Sequence, residues 1–149
     1  MTNRAFRRMF RRALALLIGG LGTLIAAPII LVVRILRPFF WLRFGYFTSN
    51  RIGHFAFDVE SYLTEKRIDQ DKKSAIDFFF FSGQPANTYF VDMCRRTLVV
   101  HSAIKWLYWA NEILPFGSNH RVFPARATSD SRDLRGLFGK VSPQLRFSS

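Results

Sequence analysis

The chain has a single cysteine, Cys94. That excludes an intramolecular disulfide and any zinc site built on cysteines, and a buried, inert thiol is the plainest reading of it. Acidic residues are missing altogether from residues 1–50. Also absent are a P-loop, a Gly-x-Gly-x-x-Gly turn, a nucleophile elbow and the His-Glu metal motifs, so no widespread catalytic signature marks the chain. The three histidines stand far apart in sequence, leaving no local ligand cluster, and neither a metal nor a cofactor is expected. No internal repeat or low-complexity tract is present.

What is there divides unevenly. Of the 22 basic residues, eight arginines (4, 7, 8, 11, 12, 34, 37 and 43) lie in the acid-free residues 1–50, and the remaining 14 share residues 51–149 with all 10 acids. A basic cluster beside apolar sequence reads as attraction to anionic lipid, worth about 1 kcal/mol per Lys or Arg near the surface. Nucleic acid, which calls for that charge on a folded domain, is not expected as a partner.

Between those arginines, Ala13 to Val33 reads ALALLIGGLGTLIAAPIILVV, 21 residues without a charge. As a helix it would extend ~32 Å, close to the ~30 Å hydrocarbon thickness of a bilayer. A helix apolar on every face is difficult to enclose in a domain of about a hundred residues. A cleaved signal fits less well, because Pro28 follows the one small-residue cleavage site at Ala26-Ala27. Arg7-Arg8-Met9-Phe10 resembles a twin-arginine export signal but lacks the preceding hydroxyl residue. The expectation is an uncleaved anchor, spanning or re-entrant, whose flanking arginines leave its topology open. Phe39, Phe40, Trp41, Phe44, Tyr46 and Phe47, interleaved with Arg37 and Arg43, read as an interfacial collar behind it. Residues 1–47 thus form a basic N-terminus, anchor and aromatic segment, and residues 48–149 a domain.

Within that domain, Phe55, Val59, Tyr62 and Leu63 fall at helical spacing, starting a helix near His54 to Ala56 with Gly53 in the turn before it. Ala75-Ile-Asp-Phe-Phe-Phe-Phe81 is a short apolar run ended by Ser82-Gly83-Gln84-Pro85, a strand buried on both faces and hence part of a parallel sheet. Asn87 caps a helix to about Arg96, Thr97 to His101 is a second strand, Ser102 caps a helix from Ala103 to Leu114, and His120 to Phe123 is a third strand. Strand, helix, strand, helix, strand is the order of an α/β unit with a Rossmann-like parallel β-α-β core.

Ligands of such sheets bind beyond the carboxyl ends of the strands. Two stretches fall there if the first strand includes Phe47 to Ile52: Arg51-Ile-Gly-His54, and the loop holding Ser82, Gly83 and Asn87. Gly53 lets backbone N–H groups approach an anion at a helix N-terminus, Arg51 adds charge, and His54 exchanges protons near neutral pH. An ordinary strand-to-helix turn explains the same residues, as turn formation explains Ser82, Gly83 and Asn87. Asp58 and Glu60, two positions apart, do not share a helix face and read as solvated.

Arg51-Ile52-Gly53-His54-Phe55-Ala56, Asp77-Phe78-Phe79-Phe80-Phe81-Ser82-Gly83 with Asn87, Trp106-Leu107-Tyr108 and Gln144-Leu145-Arg146-Phe147 together resemble the N-terminal part of a family of putative bacterial glycosyltransferases. The resemblance covers most of residues 48–147 and implies the acceptor-side domain of a GT-B type fold. It places Gly53 and His54 at the cleft, with His54 as the catalytic residue and Arg51, Gly53, Ser82, Gly83 and Asn87 binding substrate. It also implies surface polysaccharide synthesis from a cytosolic nucleotide-sugar donor onto a glycan or lipid-linked acceptor. The protein would then sit at the inner (cytoplasmic) membrane with its domain facing the cytoplasm. Such transferases carry a second, donor-binding domain, so this chain would be inactive unless completed by a separate one. The alternative is a small non-catalytic, membrane-bound scaffold that docks a partner.

Overall fold

A computed structural model of the chain describes residues 3–68 and 75–122 together with Gly136, Ser142, Pro143 and Leu145, with side chains from residue 19 onward. The expected loop Asp69–Ser74 and most of the chain beyond residue 122 lie outside the described residues. Helix α1 (Asn3–Ile35) leads into strand β1 (Trp41–Thr48), then α2 (Ile52–Ile68), β2 (Ala75–Ser82), α3 (Thr88–Thr97), β3 (Val99–Val100) and α4 (Ile104–Ile113). A 3₁₀ turn, Gly117–His120, follows.

The three strands form a parallel sheet in the order β1-β2-β3. Along β1 and β2 the register runs from Trp41↔Ala75 to Thr48↔Ser82. Successive side chains on a strand point to opposite faces. On one face Phe47 and Phe79 meet Phe55, Val59 and Tyr62 of α2 and Val91, Cys94 and Leu98 from α3 and the residue after it. On the other, Phe44 and Phe80 meet Tyr108 and Ala110 of α4 and Ala26, Ile30 and Val33 of α1. The continuous phenylalanine run of β2 therefore serves two cores at once, as a strand covered on both sides must.

Helix α1 is thus a layer of the domain. Its inner stripe is buried, and glycine lets α4 come close: a Cβ on Gly22 would stand 2.7 Å from the Trp106 ring. At the C-terminal end of α1, Arg34 donates from Nη2 to the Asn111 carbonyl (3.4 Å), Asn111 Oδ1 (3.3 Å) and the Leu114 carbonyl (3.3 Å), covering the carboxyl end of α4. A cation there also offsets the negative end of the helix dipole.

The expectation of a membrane anchor is corrected by these contacts. Among the described residues no helix is long and apolar enough to cross a membrane. The fold class is an α/β sheet flanked by helices, with α1 packed against α4 where a membrane helix was expected. With the anchor go the lipid partner, the inner-membrane location with a cytoplasm-facing domain, and both functional readings that depended on it, the anchored transferase portion and the membrane-bound scaffold. The aromatic collar is corrected too, because Trp41 to Phe47 are β1. Arg43 lies opposite Asp77 in the sheet and donates to it from Nε (2.7 Å) and Nη2 (3.0 Å).

Asp77 is buried and takes further bonds from the Tyr62 hydroxyl and from Lys66 Nζ at 3.0 Å. Burial by itself would push its carboxyl up. The bonds from Arg43, Tyr62 and Lys66 outweigh that and hold it below the ordinary carboxylate value. Burial, followed by the Asp77 carboxylate, pushes Tyr62 up. Arg43, Tyr62 and Lys66 all converge on the one carboxylate, so the cluster ties α2 to the sheet.

Candidate functional site at the carboxyl ends of the strands

After β3 the chain returns across the opposite face of the sheet through α4. It then pairs on the outer side of β1, where Arg121 bridges Phe44 in parallel and Val122 N–H donates to the Phe44 carbonyl at 2.9 Å. The expected third strand, His120 to Phe123, is reduced to this bridge. The spatial order is therefore Arg121, β1, β2, β3. The two neighbours of β1 are reached by connections running in opposite directions on opposite faces. The strand order therefore reverses at β1, and the crevice beyond the carboxyl end of the strand at such a point is where open parallel sheets bind ligands.

The residues at that place are Ser49 to His54. Ser49 is fully buried and stitches the two loops together. Its N–H and Oγ both donate to the Ser82 carbonyl at 3.1 Å, and Oγ also reaches the Gly83 carbonyl at 3.3 Å. Its own carbonyl accepts the Ala86 N–H at 2.8 Å. Gly83 turns the loop with φ +86°, a left-handed value that favours glycine, beside Asn50. Asn87 caps α3, its Oδ1 accepting the Phe90 N–H at 3.0 Å. Ser82 and Gly83 therefore supply backbone to the loop wall, and the Asn87 side chain is engaged in its cap.

Helix α2 begins earlier than its apolar spacing indicates. Phe55 N–H donates to the Arg51 carbonyl at 2.9 Å, so Gly53 lies inside the first turn. The first N–H groups of a helix have no acceptor within it. Arg51 and Gly53 are exposed there and His54 is half-buried. A Cβ added to Gly53 would meet nothing within 4 Å, so neither φ nor packing requires glycine at this position.

One residue of the site escaped the sequence reading. Asp58, read as solvated, is buried one turn below His54. Helical side chains lean toward the N-terminus, so position 58 projects back under position 54. Burial raises the Asp58 carboxyl, and the charge of His54 acts against that rise. The i,i+4 spacing of His54 and Asp58 was the available signal. Glu60, two positions further on, accepts the Leu145 N–H at 3.2 Å.

Among the described residues no three His, Cys, Asp or Glu side chains gather where a metal ion would be held. A comparison with family models, curated proteins and solved structures finds no match, so the glycosyltransferase resemblance gains no support from it.

Proposed function

We propose that this chain is a ligand-binding α/β unit that takes a phosphate-bearing molecule beyond the carboxyl ends of β1 and β2. The first turn of α2 and the Arg51 guanidinium hold the anion, and His54, with Asp58 beneath it, exchanges a proton with the bound molecule. The Ser82-Gly83 backbone walls the crevice on the β2 side. What carries the reading is the coincidence of three features: the point where the connections diverge, an exposed arginine, and a glycine that the fold does not require. A glycine with open space above it allows a ligand to approach the backbone closely. The family resemblance supports the same place and suggests a sugar phosphate among the ligands to test.

Calorimetric titration with inorganic phosphate, a sugar phosphate and the uncharged parent sugar tests this. The phosphate-bearing probes should bind and the uncharged sugar should not. Arg51→Ala should weaken binding by about 10- to 100-fold, the loss of one charge-assisted contact worth ~1.5–3 kcal/mol. Gly53→Ala should also weaken it while raising fold stability by up to about 1 kcal/mol. Unchanged affinity in Arg51→Ala would sink the proposal.

A further inference from the structure

Helix α1 has a second apolar face that none of the described residues covers. Leu21, Leu24, Ile25, Leu31, Val32 and Ile35 are between 51% and 74% exposed, and Pro28 lies among them, also exposed. These positions follow a coiled-coil stripe: residues 21, 28 and 35 recur every seven, with 24 and 31 and then 25 and 32 between them. The stripe is also symmetric about Pro28. Turned end for end around that residue, Leu21 takes the place of Ile35, Leu24 of Val32 and Ile25 of Leu31.

We infer that this face is the interface of a homodimer in which two α1 helices pack antiparallel across a two-fold axis at Pro28. A two-fold contact uses one patch on both copies, so the patch must be complementary to itself, and a stripe that maps onto itself by reversal meets that condition. Direction follows from charge. Arg4, Arg7, Arg8, Arg11 and Arg12 all lie at one end of α1, and a parallel pair would set both clusters side by side, whereas an antiparallel pair puts them at opposite ends. The area suffices: the six side chains with Pro28 offer roughly 700 Å² per copy, near the ~800 Å² per partner of a standard interface.

Sedimentation of the purified full chain without detergent, at about 10 μM, should give twice the monomer mass. Leu24→Glu, which sets a carboxylate against the partner's Val32, should return it to the monomer. Engineered cysteines read the register. Native Cys94 is silent, since it is buried and burial pushes its thiol up to about 12. Pro28→Cys should form a disulfide-linked dimer under mild oxidation. Leu21→Cys should not link to itself, because the two copies of that position lie about 21 Å apart along the axis, but should link to Ile35→Cys in a mixture. Three results would each overturn the inference: a monomeric wild type, Leu21→Cys linking to itself as readily as Pro28→Cys, or a monomer taken up by vesicles of neutral and anionic phospholipid.

Discussion

Asp77→Ala should lower the stability of the domain by about 3–5 kcal/mol, because it leaves the charges of Arg43 and Lys66 and the buried Tyr62 hydroxyl without their shared acceptor. The value should fall toward the lower end, since the Lys66 side chain is 47% exposed and water takes up part of its charge. Chemical denaturation of the wild type and variant at pH 7 reads the difference directly. The pH dependence gives a second reading. Asp77 is held below its ordinary value of 3.8 in the fold, so its contribution is complete above that value and disappears as pH falls through and below it. The gap between wild type and variant should stay constant from about pH 5 to 7 and close below roughly pH 4. A gap unchanged in acid would mean that the cluster acts through packing rather than through the ionised carboxylate.

The second large effect concerns α1. Ile30 is fully buried in the core that α1 shares with α4 and the sheet, whereas Ile29, its neighbour in sequence, is half exposed on the same helix. Ile30→Ala should cost about 2–5 kcal/mol by deleting buried methyl groups and leaving a cavity. Ile29→Ala should remain within about 0.5 kcal/mol of the wild type. If α1 were appended to the domain instead of built into it, thermal unfolding would not separate the two variants. The comparison tests whether the basic, apolar N-terminus belongs to the fold.

The sequence of β2 marks its place in the fold and that of α1 does not, for physical reasons. Ala75 to Phe81 is short, aromatic and closed by a Ser-Gly-Gln-Pro turn, and only a doubly covered strand matches all three features. Asn87 announced its helix in the same local way. The Ala13 to Val33 run offers no such discrimination, because a helix buried against its own domain on one side and apolar on the other has the composition of a membrane span. What separates the cases is the seating of Trp106 on Gly22 and the bonds from Arg34 to the end of α4, contacts between residues remote in sequence. The aromatic stretch is ambiguous for a related reason: an arginine among aromatic residues suits a headgroup as well as a carboxylate, and the partner of Arg43, Asp77, lies 34 positions away.

At the candidate site, Arg51, Gly53 and His54 were legible because a turn followed by a helix is a local pattern. The reason their position stands out was not legible. It depends on the chain returning through α4 to the far side of β1, and a single bridge at Arg121 marks that return. The expected capping by Ser102 also gave way. Ala103 precedes α4 without a side-chain cap, and its N–H donates to His101 Nδ1 at 3.1 Å. Nothing in the local sequence ranks one polar neighbour over another at that turn.

The proposed anion site lies where β1 hands over to α2. The most direct test follows backbone amide resonances while a sugar phosphate is titrated into the full chain. The amides of Ile52 to Phe55 should shift together, with smaller changes at Gly83, and none at β3 or the Asp77 cluster. Shifts that spread over the arginines of the N-terminus while Ile52 to Phe55 stay still would contradict it.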